Sequence, residues 1–235
     1  MFLVFSSLFD PHVTPGVEHL RKAGADVKVL TCHDLARPGW RLSLAEEPTL
    51  VVEGKRVPAR RIRGVLTRLA WVTHHELPFL RAEDREYGAA EMQAFLLALL
   101  DRLSCPVLNR ATPGSLNGPG WSPERWTRCA AELGLAVQPI VRRTYAGGAV
   151  LARPAAPSRR ILQVVGKRVL GDAPQAFHDA ARALADAAGC ALLRVAFAAR
   201  TPSPEFVGAD PFVDLSDAEV ATAVLEALQG KGRRS

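Results

Sequence analysis

The sequence predicts an α/β fold in two parts, and three observations carry that prediction. An apolar run, a helix and a second apolar run open the chain as a βαβ unit. A long helix with acidic residues early in it follows a later strand. A hairpin, a helix, a strand and a last helix then close the chain.

Taken in order, Met1 to Phe5 reads as the first strand, Thr14-Pro15 as the cap and first residue of a helix reaching Ala23, and Asp26 to Leu30 as the second strand. From Thr49, two short extended runs flank Gly54, and Arg63 to Arg68 forms another strand. The best-marked helix spans Glu83 to Leu103, where Met92, Phe95, Leu96, Leu99 and Leu100 recur at helical spacing. Cys105 to Asn109 is a short strand, and the prolines and glycines of 112–121 make a loop. Ser122 caps a helix that Gly134 terminates. A linker is expected near Gln138 to Arg160. Beyond it come a hairpin around Gly166-Lys167, a helix from Pro174 to Ala188, a strand from Ala191 to Ala198 and an amphipathic helix from Asp217 to Leu228.

At 235 residues with 48% hydrophobic content, the chain can bury an ordinary core. The apolar start stops at Ser6-Ser7, and the longest apolar stretch ends at Asp101-Arg102, so no membrane span is expected. Cys32, Cys105, Cys129 and Cys190 lack any paired spacing, which favours inert thiols in a reducing, cytoplasmic setting. The formal charge of +6 comes from dispersed arginines with few aromatic residues between them, so nucleic acid is not an expected partner.

Four signals, in order, resemble the ATP-grasp ligases that add amino acids to protein tails or cyclise ribosomal peptides. They are Val65-Leu66-Thr67-Arg68, the helix from Glu83, Val107-Leu108-Asn109-Arg110, and the helix ending Leu133-Gly134-Leu135 before Pro139. Val164 to Val169 is similar to the family's late hairpin, and Gly208-Ala209-Asp210-Pro211 lies where its metal-binding turn belongs. The resemblance implies a pre-ATP-grasp-like βαβ domain over 1–121 and a reduced ATP-grasp-like α+β domain over 122–235. It also singles out Arg68 and Asn109 for binding and Asp210 as the one candidate metal ligand.

The departures from the family are equally specific. Between Gln138 and Arg160 there is no room for the subdomain that closes over ATP, and Ser122-Pro123-Glu124 stands where a phosphate lysine is usual. Val195-Ala196-Phe197 replaces a strand aspartate, leaving one oxygen ligand where three are expected for magnesium. The expectation is therefore a degenerate, non-catalytic accessory that binds a peptide or protein and needs no cofactor. Its partner would be a catalytic ATP-grasp chain or a second copy. The alternative is an active ATP- and magnesium-dependent carboxylate-amine ligase using displaced groups, Asp210, Asp214, Glu205 and Lys167. An unrelated Rossmann-like protein would account for the opening unit but not the later signals.

Three other features are weighed against structural roles. Thr73-His74-His75-Glu76 offers imidazoles and a carboxylate, with His74 and His75 read as binding-surface residues rather than metal ligands. The 113–121 loop lacks a phosphate-loop lysine and reads as a rigid connection docking Trp121 and Trp126, with Trp121 a partner anchor if exposed. Of the arginines at 60, 61, 63, 68, 142, 143, 159 and 160, no more than half can share one face.

Overall fold

The computed structural model describes residues 1–43, 45–138, 140 and 158–230. Its first half comprises β1 (Phe2–Ser6), α1 (Val13–Lys22), β2 (Val27–Leu30), a short α2 (Cys32–Leu35), the hairpin β3 (Thr49–Val52) and β4 (Lys55–Pro58), β5 (Gly64–Arg68), α3 (Arg85–Arg102) and β6 (Val107–Leu108). Every pairing in the sheet β2-β1-β5-β6 is parallel. A parallel sheet covered on both sides needs apolar residues on both faces. Leu3, Phe5 and Val65 accordingly join α3 in one core, while Phe2, Val4 and Leu66 join α1 in another.

The second half runs through α4 (Pro123–Glu132), β7 (Ala136–Val137), β8 (Arg159–Val165), β9 (Arg168–Leu170), α5 (Gln175–Ala187), β10 (Leu192–Ala198), β11 (Glu205–Asp210) and α6 (Ala218–Leu228). These strands order as β7-β11-β10-β8-β9, antiparallel except for the β7–β11 pair. Leu162, Val164, Leu193, Val195 and Phe197 turn one face toward α4 and α5. Residues of α6 pack with α1 and β5 in the core that also takes in Val165, Leu170 and Leu192. The last helix therefore binds the two sheets together.

The expected order of a parallel α/β layer followed by a smaller antiparallel unit is the one observed, and the antiparallel second sheet separates this fold from a Rossmann arrangement. Local expectations fared unevenly. The hairpin turn at Glu53-Gly54 has positive φ at both residues, 50° and 75°, the geometry that suits a two-residue connection. Ser122 caps α4 by accepting from the Arg125 amide, and Gly134 takes φ +78° beyond its end. By contrast, α1 starts at Val13, so Pro15 lies inside its first turn, where no intrahelical amide bond is lost. Of the 208–211 segment, expected as a turn, residues 208–210 are the end of β11 and Pro211 follows it. Its glycine and aspartate disguised a strand whose pairing with β10 shifts register at Ala196/Phe197. Most of the expected linker, with Arg142 and Arg143, lies outside the described residues, although the Gln138 amide already bonds to the Phe206 carbonyl at 3.2 Å and Arg159-Arg160 open β8.

Gly16 marks the tightest helix contact, since a Cβ there would come within 2.5 Å of the Leu215 Cβ. Alanine would gain the usual helix propensity of about 1 kcal/mol but would force α1 away from the 211–217 segment. Gly16→Ala is expected to destabilise the protein by about 1–3 kcal/mol, read as a lower urea midpoint at unchanged slope; an unchanged or higher midpoint would refute this packing.

Candidate functional site

After Ser6 the chain passes to α1 on one face of the parallel sheet, and after Arg68 it leads to α3 on the other. Where neighbouring parallel strands diverge in this way, a crevice opens beyond their carboxyl ends. Here it is a cleft of about 510 Å3 formed by the segments after β1 and β5 and by the end of β11 with the residues that follow.

The floor of the cleft is a buried ion pair. Arg68 donates from Nε to Asp10 Oδ2 at 2.7 Å and from Nη2 to Oδ1 at 3.2 Å, with side-chain exposures of only 2% and 7%. Its Nη1 donates to the Val213 carbonyl at 2.7 Å, and the Phe212 ring lies 5.1 Å from the guanidinium. The pair thus joins the exit of β1, the end of β5 and the segment after β11. Such a pair is stable only when its other polar atoms are also satisfied, and here each guanidinium nitrogen has a partner. Asp10 Oδ1 additionally accepts from the His12 amide at 2.9 Å.

Glu76 is a second buried carboxylate, accepting from Ser7 Oγ at 2.5 Å and from the Leu8 amide at 3.0 Å. On the opposite wall, Arg194 donates from Nε and Nη2 to Asp210 Oδ2 at 3.0 and 2.7 Å, while Asp210 Oδ1 accepts from the Phe212 amide at 3.0 Å. His12 Nδ1 meets Asp214 Oδ1 at 2.8 Å. Partial burial pushes the Asp214 carboxyl up, but the Ser216 hydroxyl and amide, with His12, outweigh it and hold the group below its ordinary value.

Among the expected site residues, Arg68 and Asp210 reach this cleft, with their charges already engaged. His74 and His75 form an exposed 3-10 turn, with ring centroids 3.8 Å apart, outside the cleft lining; it is Glu76 that turns inward. Asn109 serves as a joint between the sheets, its Nδ2 donating to the Leu192 carbonyl at 2.8 Å and its Oδ1 accepting from the Leu192 amide at 2.7 Å. Trp121 is half-buried against Trp126 at 4.7 Å, with Arg125 over its ring at 4.9 Å. The 113–121 loop is docked as expected, Leu116 being buried and its amide bonded to the Ala70 carbonyl at 2.8 Å.

The remaining arginines do not converge: Arg60 pairs with Glu47, Arg63 stacks on Phe2 and Arg160 on Phe177. Burial pushes the thiols of Cys32 and Cys190 up to about 12, aided at Cys32 by the charge of Glu76, so neither is a nucleophile at neutral pH. Among the described residues, no three His, Cys, Asp or Glu side chains are grouped to hold a metal. Sequence reasoning passed over Ser7, Asp10 and His12. Their one signal is position, since polar side chains directly after a parallel strand stand at a carboxyl end.

No family model and no curated protein matches the sequence. Solved structures are nonetheless similar in fold. The macrocyclase MdnB from Microcystis aeruginosa MRC superposes with a TM-score of 0.65 at 14% identity, over 97% of this chain and 98% of that one. MdnC from the same organism, bound with precursor peptide MdnA, gives 0.69 at 11% identity, over 98% and 100%. The ATP-grasp ligase PsnB, complexed with minimal precursor, Mg and ADP, gives 0.69 at 14% identity, over 99% and 98%. The chain has the fold of these peptide-modifying ATP-grasp ligases.

Arg68→Met is expected to cost about 3–5 kcal/mol by stranding Asp10, and Asn109→Ala about 2–4 kcal/mol by unpairing both Leu192 groups. Urea denaturation measures both, and adding Asp10→Asn to the first should restore part of the loss. Because the folded Asp214 carboxyl titrates below its ordinary value of 3.8, its contribution is full above that pH and is lost as pH falls through the lowered value. Asp214→Asn should therefore flatten the acid limb of the stability curve; an unaltered limb would contradict the assignment.

Proposed function

We propose that the protein is a non-catalytic ATP-grasp-like component of a peptide or natural-product modification system, holding a peptide or protein in the cleft between its sheets. The observation that carries this reading is internal neutralisation. Both guanidiniums in the cleft, Arg68 and Arg194, are chelated by carboxylates of the same chain. A triphosphate is gripped by cations free to turn toward it, whether arginine forks or lysine ammonium groups. Among the described residues, no lysine lines this cleft or the one beside it.

Magnesium needs oxygen ligands with free lone pairs converging on one point. The groups that the ligase alternative requires are spread out. Asp210 and Asp214 line the cleft, Glu205 accepts from Gln138 Nε2 at 3.0 Å at the other end of β11, and Lys167 occupies the β8–β9 turn. ATP and magnesium therefore fit the described residues poorly. MdnC is bound with a precursor peptide and PsnB with its minimal precursor, which favours peptide as the ligand class here.

In this reading residues 1–121 and 122–235 are the two units, joined by α6, and the catalytic partner is a separate ATP-grasp chain or a second copy. A cytoplasmic setting suits such a system. No helix among the described residues is long and apolar enough to cross a membrane.

Calorimetric titration tests the proposal. ATP with magnesium should give no binding in the micromolar range, whereas a peptide substrate of the system should bind. Micromolar nucleotide affinity accompanied by phosphate release on peptide addition would overturn the non-catalytic reading in favour of a ligase.

A further inference from the structure

We infer that the peptide this protein holds is basic, docking a lysine or arginine side chain flanked by apolar residues into an anionic groove. The inference rests on the peptide-binding reading and names the chemistry of its ligand.

A second cleft of about 640 Å3 lies on the open face of β8 and β10 and at the start of α6, and it shares Arg194 and Asp214 with the first. The two therefore adjoin, and together they are taken as the groove of this inference. Asp10, Glu76, Asp210 and Asp214 line the first part; Asp172, Asp217 and Glu219 are added in the second. Among the described residues, seven carboxylates thus face two guanidiniums, a formal charge of −5 with His12 neutral. Arg168, which pairs with Glu219 from outside the lining, reduces this only to −4. The whole chain carries +6, so the groove opposes the sign of the protein around it.

Three of these carboxylates have no cationic partner among the described residues. Glu76 is held by a hydroxyl and an amide, Asp217 caps α6 through the Glu219 and Val220 amides, and Asp172 is exposed with no ion pair. A ligand cation would complete them, whereas phosphate or an acidic peptide would be repelled.

The rim supplies the apolar half of the recognition. Phe9 is 67% exposed, Trp71 52% and Ile161 41%, all beside the groove. Trp71 is held in place by its Nε1 donating to the Gly114 carbonyl at 2.6 Å. A fixed indole at the mouth of an anionic cleft is suited to a cation stacked on its face and to an aliphatic neighbour beside it. Charge complementarity and this rim together select a basic segment with apolar neighbours.

Fluorescence anisotropy of short labelled peptides alternating leucine with arginine, glutamate or serine tests the inference on the full chain. The arginine peptide should bind best, and more weakly as salt rises. Asp172→Lys, at an exposed position without an ion pair, should weaken it about fivefold, and Trp71→Ala should weaken it further. Equal or tighter binding of the serine or glutamate peptide would overturn the charge assignment while leaving the peptide-binding reading standing. Unchanged affinity in both variants would place binding outside this groove and overturn the inference. Failure of all three peptides would overturn both, and nucleotide affinity in the calorimetry would separately sink the non-catalytic reading.

Discussion

The geometry of the cleft depends on a buried Arg68–Asp10 ion pair. Placing two charges where water is excluded costs several kcal/mol for each unless every lone pair and proton finds a partner. Here the Val213 carbonyl, the His12 amide and the Phe212 ring add to the pair's own two hydrogen bonds. The requirement works in both directions, since the pair is tolerable only while the exits of β1 and β5 and the 211–214 segment stay in register. Lysine could not replace the arginine, because one ammonium cannot span both carboxylate oxygens and a carbonyl on a separate segment.

Asn109 makes a second joint by different means. Its amide offers one donor and one acceptor to the backbone of Leu192, imitating a strand neighbour where no strand is present. With α6 packed across α1 and β5, the sheets are tied at the floor, at the joint and along a helix. A groove between elements held at three places is preorganised, so a ligand would meet a formed surface and lose less affinity to ordering it.

Much of the fold was legible because its patterns were local. The buried run of β1, the helical spacing of α3, the caps of α4 and the Gly166 turn each depend on neighbours in sequence. β11 escaped because Glu-Phe-Val-Gly-Ala-Asp has turn-like composition and becomes a strand only through pairing with β10. The site was less legible for the same reason. Arg68 and Asp210 were selected by resemblance, yet their partners lie 58 and 16 positions away, a separation that no motif encodes. Asn109 was selected for binding and its amide is bonded to the Leu192 backbone; a buried amide so engaged looks in sequence like one waiting for a ligand. At 73–76 attention went to the imidazoles, whereas burial selected the glutamate.

In the proposed reading, these pairings are how an ATP-grasp fold persists without holding a nucleotide in the same way. A guanidinium has five donors, and Arg68 commits three of its nitrogens to Asp10 and Val213, so stabilising the fold and binding phosphate compete for one side chain. Arg194, 44% exposed, stands closer to that boundary, held among the described residues by Asp210 alone. Any anion entering the groove would have to displace a carboxylate already fixed at 2.7 Å and then remain among others still charged. A cation meets no such competition. The direction of the field is thus set by which residues the fold has consumed, and the carboxylates left over define what the groove can accept.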